Sequence, residues 1–284
     1  MKFIRNLFCF AFIFLSISNT LNAQQLETTT QKEPTTWELF KYDAKTTFGG
    51  VKYSFTRPLQ WKGKDYAKLG GLVIGTFAMA TLDNETNSFF EDIKDDYPKG
   101  LRDVGWYFGS PQNYFMANAG LYGFGLFTKN EKVRKTSVLI ISSSITSGFI
   151  QTLSKTGFGR GRPSAGEGPN FFKPFSKESY HHSFPSGHTV LSVTMAHAIA
   201  KQFDNTWTKV GIYTLGSLAP ISRLVDGAHW LSDIGFAAAL SIIVVDSIDK
   251  FLFNTDAYSY SKKPKQITWN VRFSSNQIGF VGTF

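Results

Sequence analysis

The sequence predicts a mainly α protein: a bundle of six helices with a small β appendage from its N- and C-terminal segments. Three observations carry that expectation. Apolar residues recur at helical spacing in six stretches between residues 66 and 253, and polar or Gly/Pro-rich breaks separate those stretches. Strict alternation is confined to short runs near the two ends of the chain. The chain of 284 residues is 42% hydrophobic and 16% aromatic, which excludes global disorder and is ample for a core.

Taken in order, residues 1–23 have the make-up of an export signal. Lys2 and Arg5 precede an apolar run over 7–17, and Leu21-Asn22-Ala23 then resembles a cleavage site. Cys9 is the single cysteine and lies inside that run, so a mature chain from Gln24 has no thiol, as suits an oxidising compartment. Residues 24–60 read as a polar leader with one short strand, because Val51, Tyr53 and Phe55 alternate with polar neighbours. A helical domain is expected over 61–254, with helices near 66–82, 104–127, 136–154, 187–203, 209–224 and 231–253. The second of these is broken at Gly109-Ser110-Pro111. Residues 164–184 form a loop long enough to be a lid. Over 255–284, Ile267, Trp269, Val271 and Phe273 alternate before a polar turn, and Ile278 and Phe280 follow it, as in a hairpin.

Three short segments carry chemistry. Lys155 is followed seven positions later by Arg162-Pro163; Pro185-Ser186-Gly187-His188 opens the fourth helix; Ser222-Arg223, His229 and Asp233 join the fifth helix to the sixth. Lys155, Arg162 and Arg223 are cations, and a guanidinium matches phosphate oxygens as a fork. Gly187 at a helix start lets backbone N–H groups approach an anion, with the Ser186 hydroxyl and the helix dipole assisting. His229 and Asp233, four apart, would share a helix face, where the carboxylate fixes the imidazole. Together they describe a phosphate pocket holding two histidines.

In spacing and order these segments resemble the signature of the type 2 phosphatidic acid phosphatase and vanadium haloperoxidase superfamily, and every fixed position is filled. The resemblance spans roughly residues 100–254. It implies a helical bundle with its site at the ends of the third to sixth helices. It implies that Lys155, Arg162, Ser186, Gly187 and Arg223 hold the phosphoryl group. His229 would be the nucleophile that becomes phosphohistidine, Asp233 its orienting acid, and His188 the general acid. Neutral imidazole attacks phosphorus without a metal-activated water, so the expectation is a metal-independent hydrolase of phosphomonoesters or pyrophosphates. Phosphorylated lipids are the leading substrates: phosphatidic acid, isoprenyl pyrophosphate or the lipid A type. The alternatives are an acid phosphatase for small soluble esters, or a haloperoxidase that holds vanadate on His229; an envelope protein with a dead pocket is disfavoured because the motif is intact. No other cofactor or metal is expected.

Other residues have plainer readings. His181 and His182 read as ordinary loop residues, His197 as structural, and the acidic run over 91–96 as a solvated loop. Arg160 lies outside the signature and is left open as a further pocket charge. The net charge of +9 suits phosphorylated substrates or anionic lipid, and scattered basic residues without a motif disfavour nucleic acid. The apolar cores of the helices run about 12–15 residues, short of the roughly 20 needed to span a bilayer, although 136–153 comes close. Basic turns at 128–135 and 201–209 place the site outside, whereas six spans after a cleaved leader place it inside. The expectation is an exported enzyme with its site in the periplasm or cell envelope and close membrane contact.

Overall fold

A computed structural model describes residues 33–255, Tyr258, Tyr260 and the backbone of two C-terminal strands. The export signal and residues 24–32 of the leader lie outside the described residues. Within them the chain is mainly helical, with nine α-helices: α1 (Thr36–Thr56), α2 (Gly63–Ala80), α3 (Asp83–Asp92), α4 (Lys99–Gly109), α5 (Pro111–Phe127), α6 (Glu131–Phe158), α7 (Gly187–Ala200), α8 (Thr206–Val225) and α9 (Leu231–Asp249). The strands β1 (Thr268–Ser274) and β2 (Gln277–Thr283) pair antiparallel, with Val271 opposite Phe280.

Three expectations are corrected. The short strand over 48–55 does not exist; those residues belong to α1. That helix opens with a reciprocal cap in which Thr35 Oγ1 accepts from Glu38 N–H at 3.2 Å and Glu38 accepts from Thr35 N–H at 2.8 Å. Its buried positions are Leu39, Asp43, Thr46 and Gly50, a helical spacing written mostly in polar or small residues. An apolar-period reading finds nothing there and is misled by Val51, Tyr53 and Phe55 near the end of the same helix. The count of six is also corrected, because α1 and α3 join the set and the break at residues 109–111 divides one stretch into α4 and α5. Glu91 and Asp92, assigned to a solvated loop, are the last residues of α3.

The core lies where α6, α7 and α9 meet, with Val138, Leu139, Leu191, Leu240, Val245 and Ile248 among its buried members. Helix α6 carries many hydroxyls into this core, and three of them are satisfied within the helix, where Ser142, Ser144 and Thr146 donate to the carbonyls of Val138, Ile140 and Ser142 at 2.7–3.0 Å. It begins on Asn130, whose side chain accepts from Val133 N–H at 3.1 Å. It ends on Gly159 at φ +60°, where a Cβ would sit 1.8 Å from the carbonyl oxygen of Lys173, so both conformation and space require glycine.

Helix α1 is tied to the bundle by a buried ion pair. The Asp43 carboxylate accepts from Arg134 Nε at 2.8 Å and Nη2 at 2.9 Å, from Tyr122 Oη at 2.9 Å and from Tyr258 Oη at 2.5 Å. Removing one partner strands a charge in the interior, so Asp43→Ala is expected to destabilise the fold by about 3–5 kcal/mol. Denaturation should show that loss, while activity per folded molecule remains.

Two segments, Glu131–Phe158 and Leu231–Asn254, are long and apolar enough to cross a membrane, and each is only about half buried in the protein, 56% and 50%. Outward-facing apolar side chains recur four apart on α6 (Ile145, Phe149, Leu153) and on α2 (Leu69, Val73, Phe77). A helix in water puts its polar face outward; these stripes do the reverse.

Candidate active site

The signature residues collect at helix ends on one side of the bundle: Lys155 in the last turn of α6, Ser186 and Gly187 at the start of α7, Arg223 in the last turn of α8, and Asp233 in the first turn of α9. Asp233 is a helix cap as well as a site residue, for its Oδ2 accepts from Trp230 N–H at 2.9 Å. His229 precedes that helix, so it does not share a helix face with Asp233 as the spacing suggests. It meets the carboxylate across the helix entrance, with Nδ1 3.6 Å from Asp233 Oδ2. This is an ion-pair distance beyond direct hydrogen-bond range.

Lys155 Nζ donates to the carbonyl oxygen of His182 at 2.5 Å, and Arg162 Nη2 lies 3.5 Å from the same oxygen. Arg162 Nη1 donates to the carbonyl of Ala228, the residue before His229, at 3.0 Å. Arg223 is paired with Asp226 at 2.6 Å. Ser186 is buried and receives a hydrogen bond from Thr189 Oγ1 at 3.0 Å, while its N–H points to the carbonyl of Asp233 at 3.3 Å, which ties α7 to α9. A Cβ on Gly187 would come 3.2 Å from Gln151 Nε2, so the turn runs close against α6.

Burial and the collected cations set the protonation of both imidazoles. Burial, then Arg223, Arg162 and Lys155, push His188 down to about 4. Burial and the positive charge of Lys155 and Arg162 push His229 down to about 3 against the opposing pull of Asp233. Burial, with Arg162 adding to it, brings the Lys155 ammonium down to about 7. For Asp233 burial acts upward, but His229, Arg160 and Ser183 more than offset it and hold the carboxyl below its ordinary range. Three cations that depress His188, two of which also depress His229, describe a site short of negative charge. Among the described residues, the buried His188 Nε2 and His229 Nδ1 have no hydrogen-bond partner.

Helix α4 is the contribution that motif spacing does not reveal. Its Gly109 lies against His188, and a Cβ there would stand 2.8 Å from the His188 Cβ. Trp106 sits 6.0 Å from the imidazole between ring centroids. A cavity of about 550 Å³ opens beside His188, lined by Trp106, Tyr107, Ser110, Pro111, Gln112 and Asn113. The only sequence signal for it was the Gly-Ser-Pro break.

The loop after α6 is stitched rather than loose. His181 is buried, with Nδ1 2.8 Å from Ser176 Oγ and Nε2 3.1 Å from Glu167, so it fastens the loop. His182 serves the site through its backbone carbonyl. His197 is far along α7, bridging Tyr213 at 2.7 Å and Asp246 at 3.1 Å. Arg160, left open as a pocket charge, uses its N–H groups elsewhere. They go to Asp233, Asp83, Ser232 and the carbonyl of Pro169.

Comparison with known proteins agrees with the signature. The family model of the PAP2 superfamily matches residues 136–252. A lipid A 1-phosphatase of Porphyromonas gingivalis is 29% identical over 183 residues, which covers 59% of this chain and 38% of that relative. The matched region is thus well under half of the relative's length. No solved structure matches the chain. The ends of α6 to α9 carry the signature, and the match to the PAP2 superfamily over residues 136–252 runs across those same helices, so over that region the chain is similar to the PAP2 superfamily.

Proposed function

We propose that the protein is a phosphatase of lipid phosphates, cleaving a phosphomonoester or pyrophosphate through a phosphohistidine on His229. The observation that carries this reading is the His229–Asp233 pair set beside Lys155 and Arg162 at converging helix ends. Phosphoryl transfer asks chiefly for positioning and for fixed positive charge around the equatorial oxygens. Lys155, Arg162 and Arg223 supply that charge, and the first turn of α7 from Gly187 adds backbone N–H groups. His229 is neutral near pH 7 and therefore nucleophilic without prior deprotonation. With Nδ1 turned to Asp233, the attacking atom is Nε2, and the imidazolium formed on phosphorylation is stabilised by the carboxylate. His188 protonates the leaving oxygen, and a water then releases phosphate from His229.

A lipid substrate fits the outward apolar stripes on α2 and α6 and the two apolar helices, which support contact with a membrane. The relative's substrate, lipid A, belongs to this class. The cavity beside His188 is where the leaving group would lie. No metal or other cofactor enters the proposed step.

Purified protein is expected to release phosphate from a long-chain lipid phosphate in detergent at least tenfold more efficiently than from a short soluble ester, in kcat/KM. Activity should persist after EDTA. A preference for the soluble ester would favour an acid phosphatase, and a strict Mg²⁺ requirement would contradict the mechanism. Halide oxidation that appears only with added vanadate would favour the haloperoxidase reading.

A further inference from the structure

Asp83 and Arg160, joined to Asp233 in a buried ion chain behind the site, have no part in the proposed steps. Asp83 opens α3, which lies outside the family match, and it is fully buried, as is Asp233. Arg160 stands in the loop after α6, also buried. A guanidinium has five N–H donors. Arg160 makes five contacts: Nη1 to Asp233 Oδ1 at 2.6 Å and Ser232 Oγ at 2.8 Å, Nη2 to Asp83 Oδ2 at 2.7 Å and the Pro169 carbonyl at 2.8 Å, and Nε to that carbonyl at 2.9 Å. Asp83 completes the frame by accepting from Ser232 N–H at 2.9 Å and Ser232 Oγ at 2.7 Å. On the other side, Asp233 Oδ2 accepts from Ser183 Oγ at 2.5 Å and from Trp230 N–H.

We infer that Arg160 and Asp83 are positioning residues for the His229–Asp233 pair, the ion chain Asp83–Arg160–Asp233 fixing the carboxylate so that Oδ2 is the oxygen turned to His229 Nδ1. This rests on the reading of His229 as the nucleophile. A buried carboxylate with one oxygen engaged by a forked cation cannot rotate without breaking charge-assisted bonds. The same cation balances the Asp233 charge, so the pair orients His229 without drawing a proton onto it. Lys155 from α6 and Arg162 from the following loop act on His229 in the same sense, opposed by Asp233 from α9.

The test compares wild type, H229A, R160Q, R160K and D83N on one lipid phosphate across pH, with circular dichroism and thermal melting to establish folding. R160Q is expected to lower kcat by roughly 10²-fold, since a misplacement of about 1 Å can cost that much, with KM within about threefold. Its acid limb should move to higher pH, because Asp233 without its counter-charge favours the imidazolium of His229. R160K keeps the charge but not the fork, and should keep the wild-type limb while recovering only part of kcat. D83N should fall in the same direction by about tenfold. Folded R160Q with unchanged kcat, or with its limb unmoved, overturns the inference. Should the arginine variants fail to fold, ¹⁵N-histidine spectra of wild type decide, with H229A assigning the signal: the proton of His229 must reside on Nδ1, and a proton on Nε2 overturns it. An H229A protein with wild-type activity would instead remove the nucleophile reading on which this one stands.

Discussion

Replacing His229 by alanine should reduce turnover of a lipid phosphate by on the order of 10⁴-fold or more, the scale seen when a covalent nucleophile is removed. The residue is 4% exposed at the entrance of α9, and its loss leaves the ion chain behind it intact, so the variant should fold. Lys155, Arg162 and Arg223 remain, so substrate binding should persist with KM changed only a few-fold. Initial rates at saturating substrate, with melting temperature as the control for folding, check this. A variant that keeps even a tenth of the wild-type kcat would mean that another group attacks phosphorus.

The second large effect is expected at His188, and its size should depend on the leaving group. General acid catalysis contributes about 10²–10⁴-fold where the departing oxygen needs a proton. His188→Asn should therefore lose about that much on an alkyl phosphate and little on p-nitrophenyl phosphate, whose phenolate leaves unaided. The pH dependence gives a separate check. Burial and the neighbouring cations hold His188 at about 4; a bound phosphate dianion neutralises those cations, so its value rises in the complex and it carries the proton needed for transfer. The kcat of wild type should fall as pH rises through that value, and the His188→Asn profile should lack this alkaline limb. The acid limb belongs to His229, which must be neutral; its value of about 3 keeps that limb far below pH 7. Equal losses on both leaving groups would remove His188 from the acid role.

How much of this was legible in the sequence follows from which residues speak by type and spacing. Lys155, Arg162, Ser186, Gly187, His188, Arg223, His229 and Asp233 stand out as candidates by type and local spacing, at or next to the ends of helices with apolar cores. The contact between His229 and Asp233 was foreseen, but not its geometry, since an interval of four fits a helix face as well as a helix entrance. Helix α1 was missed because its inward face is built on Asp43, Thr46 and Gly50, and its cohesion comes from Arg134, 91 residues away. Asp83 was invisible for a related reason: it reads as one acid among several on a polar stretch, and only folding brings it to Arg160 across 77 residues. The Trp106 and Gly109 contacts with His188 likewise depend on how α4 packs, which no local pattern encodes.

The central claim is a covalent bond between phosphorus and an imidazole, and rapid-quench trapping with ³²P-labelled substrate tests it most directly. Wild type should show label on protein within one turnover, stable to base and labile to acid as a phosphoramidate is, and confined to the peptide that contains His229; the His229→Ala protein should show none. Turnover of wild type without any labelled protein, or label carried on a different peptide, would contradict the account.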